Sequence, residues 1–498
     1  MTDPVSTVQN VAVEAHKSPF DLTKFLILLS GLVLFLVLYF SPPWPDAVDP
    51  AGKTFVLSNE GKAAIALFLL AGIWWVFEVL PIGVTAIAIG VFQALFLIRP
   101  ARDAFRDFMD PSVMFIFGSI VIGLAFTRSG LTKRIAYKML GVVGESTNMI
   151  LLGALVVTAA LAHLMAHTAV AATMFPILLA VYALYGEGEK QTRFGKSLFI
   201  GMAYAAGAGS IITFLGAARG PAAAGMYTAF TGKDISFFEL TSYMFIIGWS
   251  MVFIIWLYLI IFMKPEKKTI PGLKDTVRRL SDALGPMTRS EKIVLAIVFG
   301  VVVVMSLKSA VPLLQPIDRA AIMLVSTLLF FIVGILTVKD LEEIPWNIIL
   351  LFSGAMSIGF CLWQTGAAEW MAVQWLGLLK NAHWFVFVMG ISAFVLVMTN
   401  FIMNVAAIAI VLPVALVIAR YMGVAPEVIM YASLVTAGMP FLLLIGAAPN
   451  AIAYDSKQFT TGEFFKHGLP MSLILLVVLA LAVATLWPLL GMPILVEP

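Results

Sequence analysis

The sequence predicts an all-α polytopic membrane protein: an inverted repeat of five helices plus one re-entrant hairpin per half, with one extra N-terminal helix. Three observations support this fold class. The 498 residues are 61% hydrophobic and 12% charged, about half the charged share of an ordinary soluble domain. Long apolar runs recur along the whole chain, whereas a membrane barrel has short alternating segments. Finally, two uncharged runs exceed the length of one membrane crossing and resemble each other.

The first apolar run follows a polar lead of 24 residues, so it is expected to be an uncleaved membrane helix rather than a secretory signal. The runs lie at residues 25–41, 62–80, 82–98, 111–128, 146–186, 197–232, 240–263, 293–307, 320–338, 346–365, 381–419, 428–454 and 468–495. The single cysteine, Cys361, excludes an intrachain disulfide. Net charge is only +3, and the expected surroundings are a lipid bilayer, with no nucleic-acid partner.

One connection, residues 264–292, is long and charged. It holds eight Lys or Arg against four Asp or Glu, and such an excess marks the cytoplasmic side of a membrane. The sequence therefore predicts a cytoplasmic N-terminus, an odd number of crossings and an outside C-terminus, in a bacterial inner membrane. The expected units are a tail and first helix (1–61), a first repeat (62–264), a cytoplasmic linker (265–291) and a second repeat (292–498).

The uncharged run 146–186 has 41 residues. A continuous helix of that length would measure about 60 Å, roughly twice the hydrocarbon core of a bilayer. The run must therefore fold back on itself, and the polar pair His167 and Thr168 lies near the expected turn. We predict a re-entrant hairpin here.

A second uncharged run, 381–419, has the same pattern. His167 precedes Pro176 by nine residues, and Asn404 precedes Pro413 by nine. The two prolines are 237 residues apart, and LGAARGPAAAG (215–225) matches IGAAPNAIAY (445–454) at an offset of 230. With five crossings per half, the second copy enters the membrane in the opposite orientation. Inverted repeats with interrupted segments are typical of secondary transporters, with the substrate near the midplane.

Residues 197–232 form another overlong run, with Arg219 as its one charge. Seven glycines lie in it, and we expect a helix break between Gly207 and Gly220. Backbone groups exposed at such a break need partners, which an ion or an anionic ligand can supply.

Several segments resemble the divalent anion/sodium symporters, carriers of citrate, succinate, other dicarboxylates and sulfate. These are IWWVFEVLPIGVTAIAIGVF, FMDPSVMFIFGSIVIGLAFTRSGLTKRIA, GMAYAAGAGS and PNAIAYDS. The resemblance implies about eleven membrane helices with two re-entrant hairpins, a homodimer, and an elevator motion of a transport domain against a scaffold. It also implies that the hairpin tips and unwound loops bind Na⁺ and the substrate, with no other cofactor.

The resemblance assigns candidate site residues. The substrate candidates are His167, Thr168, Arg219, Asn404, Ala447, Ala448 and Asn450. The Na⁺ candidates are Thr399, Met403, Asn404 and Gly446 in the second half, and Ala166, Gly209 and Ser210 in the first. The tips and loops read AHTAV, MNVAA, AARG and AAPN, which differ from the hydroxyl- and proline-rich motifs of the family. The scaffold is kept, and much of the binding chemistry is changed.

Alternatives remain for five side chains. His167 can bind an anion or carry a proton, or simply pack between helices. Arg219 can clamp an anion with its guanidinium, or snorkel toward the outer surface. Thr399 can hydrogen-bond its own helix while Asn404 joins helices. His163 lies four residues before His167, a zinc-ligand spacing that lacks a third ligand in the nearby sequence.

The function expected is secondary transport of a small organic or inorganic anion, coupled to Na⁺, with proton coupling or anion exchange as the rival. Met403, Val405, Ala447 and Ala448 favour apolar contact over a second anion clamp, so the predicted substrate has one dominant charged group. A cation/proton antiporter is less consistent with the sequence, because the hairpins and unwound loops contain no carboxylate. No catalytic motif indicates an enzyme.

Overall fold

The computed structural model describes residues 22–48, 54–188, 190–308, 311–379, 383–401 and 404–496. Within these ranges the protein is helical except for two short antiparallel strands, β1 (Ala47–Val48) and β2 (Thr54–Phe55). Eight helices in the described residues are long and apolar enough to cross a membrane. The chain is therefore a multi-pass helical membrane protein.

The N-terminal helices are α1 (Leu22–Tyr39), α2 (Asn59–Val76), α3 (Ile82–Leu95) and α4 (Ala101–Arg106), followed by a 3-10 turn (Asp107–Met109). Helix α2 begins where Ser58 Oγ accepts a hydrogen bond from Gly61 N, a normal N-cap. Arg99, just before α4, and Asp107, just after it, are buried and form an ion pair of 2.7 Å, which gives each charge a partner that lipid could not supply.

The first half continues with seven helices, in which the run 146–186 becomes two helices. They are α5 (Pro111–Ser129), α6 (Leu131–Val142), α7 (Thr147–Leu161), α8 (His167–Ala183), α9 (Arg193–Ser210), α10 (Arg219–Thr231) and α11 (Phe237–Phe262). The run therefore turns at residues 162–166, next to the polar pair. The break between α9 and α10 lies inside the expected interval.

The charged connection contains one amphipathic helix, α12 (Leu273–Ala283). Arg134 of α6 donates to the carbonyls of Leu284, Gly285 and Pro286 just after α12, and pairs with Glu291 at 2.7 Å. This guanidinium therefore ties the connection to the first half. The chain continues through α13 (Arg289–Leu307), α14 (Arg319–Ile332) and α15 (Val338–Glu342).

The second half has the same order of elements as the first. Its helices are α16 (Trp346–Gln364), α17 (Ala367–Leu379), α18 (Trp384–Phe401), α19 (Asn404–Tyr421), α20 (Pro426–Ala437), α21 (Ala448–Tyr454) and α22 (Thr461–Leu481), then a π-helical turn (Ala482–Leu486) and α23 (Trp487–Leu489). The predicted repeat would pair helices α5–α11 with α16–α22. The inverted orientation of the two copies stays a prediction.

Helices α9 and α20 form the centre of the molecule. Nearly every residue of α9 is buried, as are all residues of α20 from Val428 to Ala437. Small residues allow these helices to approach closely: a Cβ on Gly207 would lie 2.9 Å from the Gly438 carbonyl oxygen. The break between α9 and α10 and the break between α20 and α21 therefore lie next to each other in the interior.

Candidate functional site

The turn between α7 and α8 is joined to the first break by three hydrogen bonds. His163 Nδ1 donates to the Gly209 carbonyl at 3.0 Å, and Thr213 Oγ1 donates to the His163 carbonyl at 2.6 Å. The backbone amide of His167 donates to the Gly216 carbonyl at 3.0 Å. The Nδ1 atom of His163 is thus satisfied by a backbone carbonyl. The buried Nε2 of His163 and the buried Nδ1 of His167 have no partner among the described residues.

Arg219 is the first residue of α10 and is only 2% exposed. Its Nη2 donates to Ser210 Oγ at 2.5 Å, and Ser210 Oγ in turn donates to the Gly207 carbonyl at 2.7 Å. No carboxylate among the described residues forms a salt bridge with Arg219. The guanidinium does not reach the outer surface, so it is a buried charge that needs a partner.

The second break, residues 438–447, is held by two asparagines. Asn400 Oδ1 accepts from the amides of Leu442 and Leu443 at 2.8 and 3.1 Å. Asn450 Nδ2 donates to the carbonyls of Pro440 and Leu443 at 2.8 and 3.1 Å. Asn450, predicted to bind substrate, thus holds the loop in this structure. Sequence reasoning missed Asn400, although a polar residue beside Thr399 in an uncharged run was the available signal.

The second-half Na⁺ candidates lie around the end of α18. Thr399 Oγ1 donates to the Ala437 carbonyl at 3.2 Å, and a Cβ on Gly446 would lie 2.9 Å from the Thr399 carbonyl oxygen. Asn404 is 6% exposed, and its Nδ2 has no partner within the described ranges. Met403 lies outside the described residues. The Thr399 carbonyl oxygen therefore lies against Gly446, and carbonyl oxygens are ligands that a hard cation prefers.

The first-half Na⁺ candidates have different surroundings. The Gly209 carbonyl already accepts from His163, and Ser210 Oγ already accepts from Arg219. Ala166 contributes only its backbone, as the N-cap residue of α8. A cation here would lie next to a guanidinium, so the two halves differ in their electrostatics.

Several of the predicted substrate residues line one cavity of about 320 Å³. Its walls are Ser119, Ile120, Gly123, Leu124, Thr127, Ala166, His167, Thr168, Ala169, Ala172, Ala217, Ala218, Arg219, Pro345, Ile348, Phe352, Asn404, Val405 and Ala448. Five predicted substrate residues are present; Ala447 and Asn450 are not among the lining residues. No Asp or Glu lines this cavity, and its walls are mostly apolar.

Helices α8, α10 and α19 begin at this cavity, beside the short α21. The N-cap residues of α8, α10 and α21 are Ala166, Ala218 and Ala447, none of which has a side chain able to cap. The amides of Thr168 and Ala169 have no hydrogen-bond partner in the described part of the chain. Free first-turn amides and the helix dipole both favour a bound anion.

The described residues contain no group of three or more His, Cys, Asp or Glu placed to hold a metal ion. The His163–His167 pair therefore has no third ligand of these types there. What the cavity offers is hydrogen-bond donors, one arginine and apolar walls.

A family model described as the sodium:sulfate symporter transmembrane region matches residues 23–493. Among similar proteins, the sodium-dependent dicarboxylate transporter SdcS of Staphylococcus saprophyticus is 27% identical over 458 residues, 87% of each chain. SdcS of Staphylococcus aureus (strain bovine RF122 / ET3-1) is 27% identical over 511 residues, 95% of this chain and 93% of its own.

Two solved structures are similar in fold. Neisseria gonorrhoeae MtrF, from a study of antimetabolite efflux pumps, superposes with a TM-score of 0.56 over 92% of this chain and 93% of its own, at 12% identity. The Alcanivorax borkumensis YdaH transporter gives 0.52 over 94% and 97%, also at 12% identity. At this identity the likeness concerns the fold alone.

Proposed function

Because this chain belongs to the sodium:sulfate symporter family, whose model spans residues 23–493, we propose that it is a Na⁺-coupled carrier of a small organic anion with one dominant charged group. Members of this family are transporters, not enzymes. The proposal assigns anion binding to the 320 Å³ cavity, which is at the small end of ligand pockets. The two staphylococcal relatives are sodium-dependent dicarboxylate transporters by name, which supports coupling to Na⁺.

One observation carries the choice of an anion. Two helices without a capping side chain, with N-cap residues Ala166 and Ala218, begin at this one cavity. Arg219, which is buried and forms no salt bridge with a carboxylate of the described residues, lines the same cavity. Helix N-termini and a guanidinium both stabilise negative charge, most strongly where water is scarce. A cavity with these donors and no acidic wall favours anions over cations, and this argues against a cation/proton antiporter.

The apolar lining residues favour a substrate with one charged end. Ile120, Leu124, Ile348 and Phe352 offer apolar contact, and no Lys or second Arg lines the cavity. A second carboxylate placed there would lose its hydration without gaining a partner. A monocarboxylate or sulfonate with a short apolar tail is therefore the proposed substrate class, in contrast to a dicarboxylate.

The transport cycle proposed is an elevator motion. The two helix pairs α7–α8 and α18–α19, with the broken helices, would move as one body relative to α5 and α16. In this proposal the pairs are re-entrant hairpins of an inverted repeat. The units of the protein in this proposal are a first repeat (62–264), a cytoplasmic linker (265–291) and a second repeat (292–498). Two such chains form a homodimer in a bacterial inner membrane.

Proton coupling or anion exchange on the same fold is the alternative, with His167 as the group to carry a proton.

A thermal-shift screen of the purified protein tests the substrate class. We expect monocarboxylates or sulfonates to stabilise the protein in Na⁺ and much less in K⁺, because the anion and the cation bind together. Arg219→Gln should remove this response, while Arg420→Gln, at an exposed position in the last turn of α19, should keep it. Stabilisation by dicarboxylates alone, or the same response in Na⁺ and K⁺, would contradict the proposal.

The proposed orientation can be tested separately. Cys361 is the chain's one cysteine and is buried, so Cys361→Ala provides a cysteine-free background for labelling. In that background Arg278→Cys, on exposed α12, should react with an impermeant maleimide only from the cytoplasmic side. Lys233→Cys, which is also exposed, should react only from the outside. Labelling of both from one side would refute this orientation.

A further inference from the structure

Two helix C-termini meet inside the protein. Helix α9 ends at Ser210 and α20 at Ala437, and Gly207 near the end of α9 approaches the Gly438 carbonyl so closely that a Cβ there would lie 2.9 Å from it. Each helix C-terminus carries about half a negative charge in its unpaired carbonyls. Two such ends in a region shielded from water require a compensating positive charge.

In the first half, a side chain of the protein supplies that positive charge. Arg219 Nη2 lies 2.5 Å from Ser210 Oγ at the end of α9, and a Cβ on Gly438 would lie 3.0 Å from the same nitrogen. The guanidinium therefore lies beside both helix ends. An arginine side chain stays protonated under ordinary conditions, so this compensation is permanent.

The second half contributes no basic residue of its own. At the repeat offset of 230 residues, Arg219 corresponds to Pro449, and residues 438–454 contain no Lys or Arg. The Thr399 carbonyl and Gly446 lie together there. Buried carbonyl oxygens without a fixed cation are a place for a mobile one.

We propose that Arg219 is a resident cation that takes the place of a mobile coupling ion in the first half, so that each protomer binds one Na⁺, in the second half. This inference rests on the proposed Na⁺ coupling. A Na⁺ about 4 Å from a guanidinium, at an effective dielectric constant of about 20, would bind about a thousandfold more weakly than without it. The first-half oxygens of Gly209 and Ser210 are therefore closed to Na⁺ while Arg219 is present.

Equilibrium binding of ²²Na⁺ to the purified full-length protein tests this without knowledge of the substrate. We expect one Na⁺ per protomer in the wild type and two in Arg219→Gln, in which an uncharged amide replaces the guanidinium. Arg219→Lys keeps a positive charge and should still bind one. Arg420→Gln, which changes the same residue type at an exposed position, should also bind one.

Asn404→Ala gives a second measurement that does not depend on the folding of Arg219→Gln. Asn404 lies at the start of α19 with an unpartnered Nδ2, and its loss should reduce the wild-type value from one Na⁺ to none. Two Na⁺ per protomer in the wild type, or an unchanged single Na⁺ in folded Arg219→Gln, would overturn the resident-cation inference and leave Na⁺ coupling intact. A wild type that binds no Na⁺ would overturn the proposed Na⁺ coupling and this inference with it.

Discussion

A capping side chain at Ala166 should stabilise the protein while it weakens anion binding. Ala166 is the N-cap of α8, with extended backbone angles (φ −53°, ψ 129°), and it lines the cavity. The amides of Thr168 and Ala169 have no partner among the described residues. An aspartate at this position can accept from one of them, which normally stabilises a helix by about 1 kcal/mol. The helix dipole adds about 0.3–1 kcal/mol for a negative charge.

The same aspartate would repel the substrate. Two negative charges about 5 Å apart, at an effective dielectric constant of about 20, repel by about 3 kcal/mol. Ala166→Asp should therefore bind the anion about two orders of magnitude more weakly. Ala166→Ser caps without charge, so it should give similar stability and lose only about tenfold in affinity, the worth of one hydrogen bond.

The assay combines thermal unfolding without ligand and the ligand-induced shift with the anion from the screen. Ser58→Asp adds the same charge at the start of α2, where Ser58 already caps the helix, and should leave anion binding unchanged. If Ala166→Asp bound the anion as tightly as the wild type, the uncapped helix start would not belong to the anion site.

Two further predictions concern packing and pH. Gly209→Ala places a Cβ 2.5 Å from the Ala159 carbonyl oxygen, so α7 and α9 must separate, and we expect loss of the monodisperse peak in size-exclusion chromatography. Gly72→Ala, with no atom within 4 Å, should be tolerated or stabilise by about 1 kcal/mol. Burial raises the pKa of Asp340, but hydrogen bonds within its capping box and from Arg128 outweigh this, and the pKa lies below the usual 3.8. Its stabilising effect is therefore present above about pH 4 and is lost as the pH falls through the lower folded pKa. Asp340→Asn should melt below the wild type at pH 6, with a smaller difference at pH 3; a constant difference would contradict this.

The positions of the turn and of the first helix break were predictable because each follows from a length. A run of 41 uncharged residues is too long for one crossing, and it is divided into two helices at residues 162–166. The 36 residues between Lys196 and Lys233 likewise require a break, and it lies at 211–218. Such constraints need no knowledge of which helices contact each other.

The partners of individual polar side chains were not predictable in this way. Asn450 was expected at the substrate, yet its amide holds the carbonyls of Pro440 and Leu443. Asn400 was not singled out, yet it accepts from two amides of the same loop. Which asparagine faces the loop depends on how α18 packs against the second break, and that contact joins residues about 40 positions apart. A single sequence contains no signal for such a pairing.

The alanines at the helix starts have a different meaning in the structure than in the sequence. In the sequence, Ala166, Ala447 and Ala448 suggest that ligand groups have been lost. Seven other helices of the described chain begin with a side chain that caps them: Ser58, Asp110, Thr192, Ser236, Thr288, Asp318 and Thr460. None of these seven lines the cavity. In α8, whose N-cap is alanine, the first amides stay free for another acceptor. Where α8 begins beside the buried Arg219, the missing capping side chain is what leaves the amides of Thr168 and Ala169 as donors for an anion.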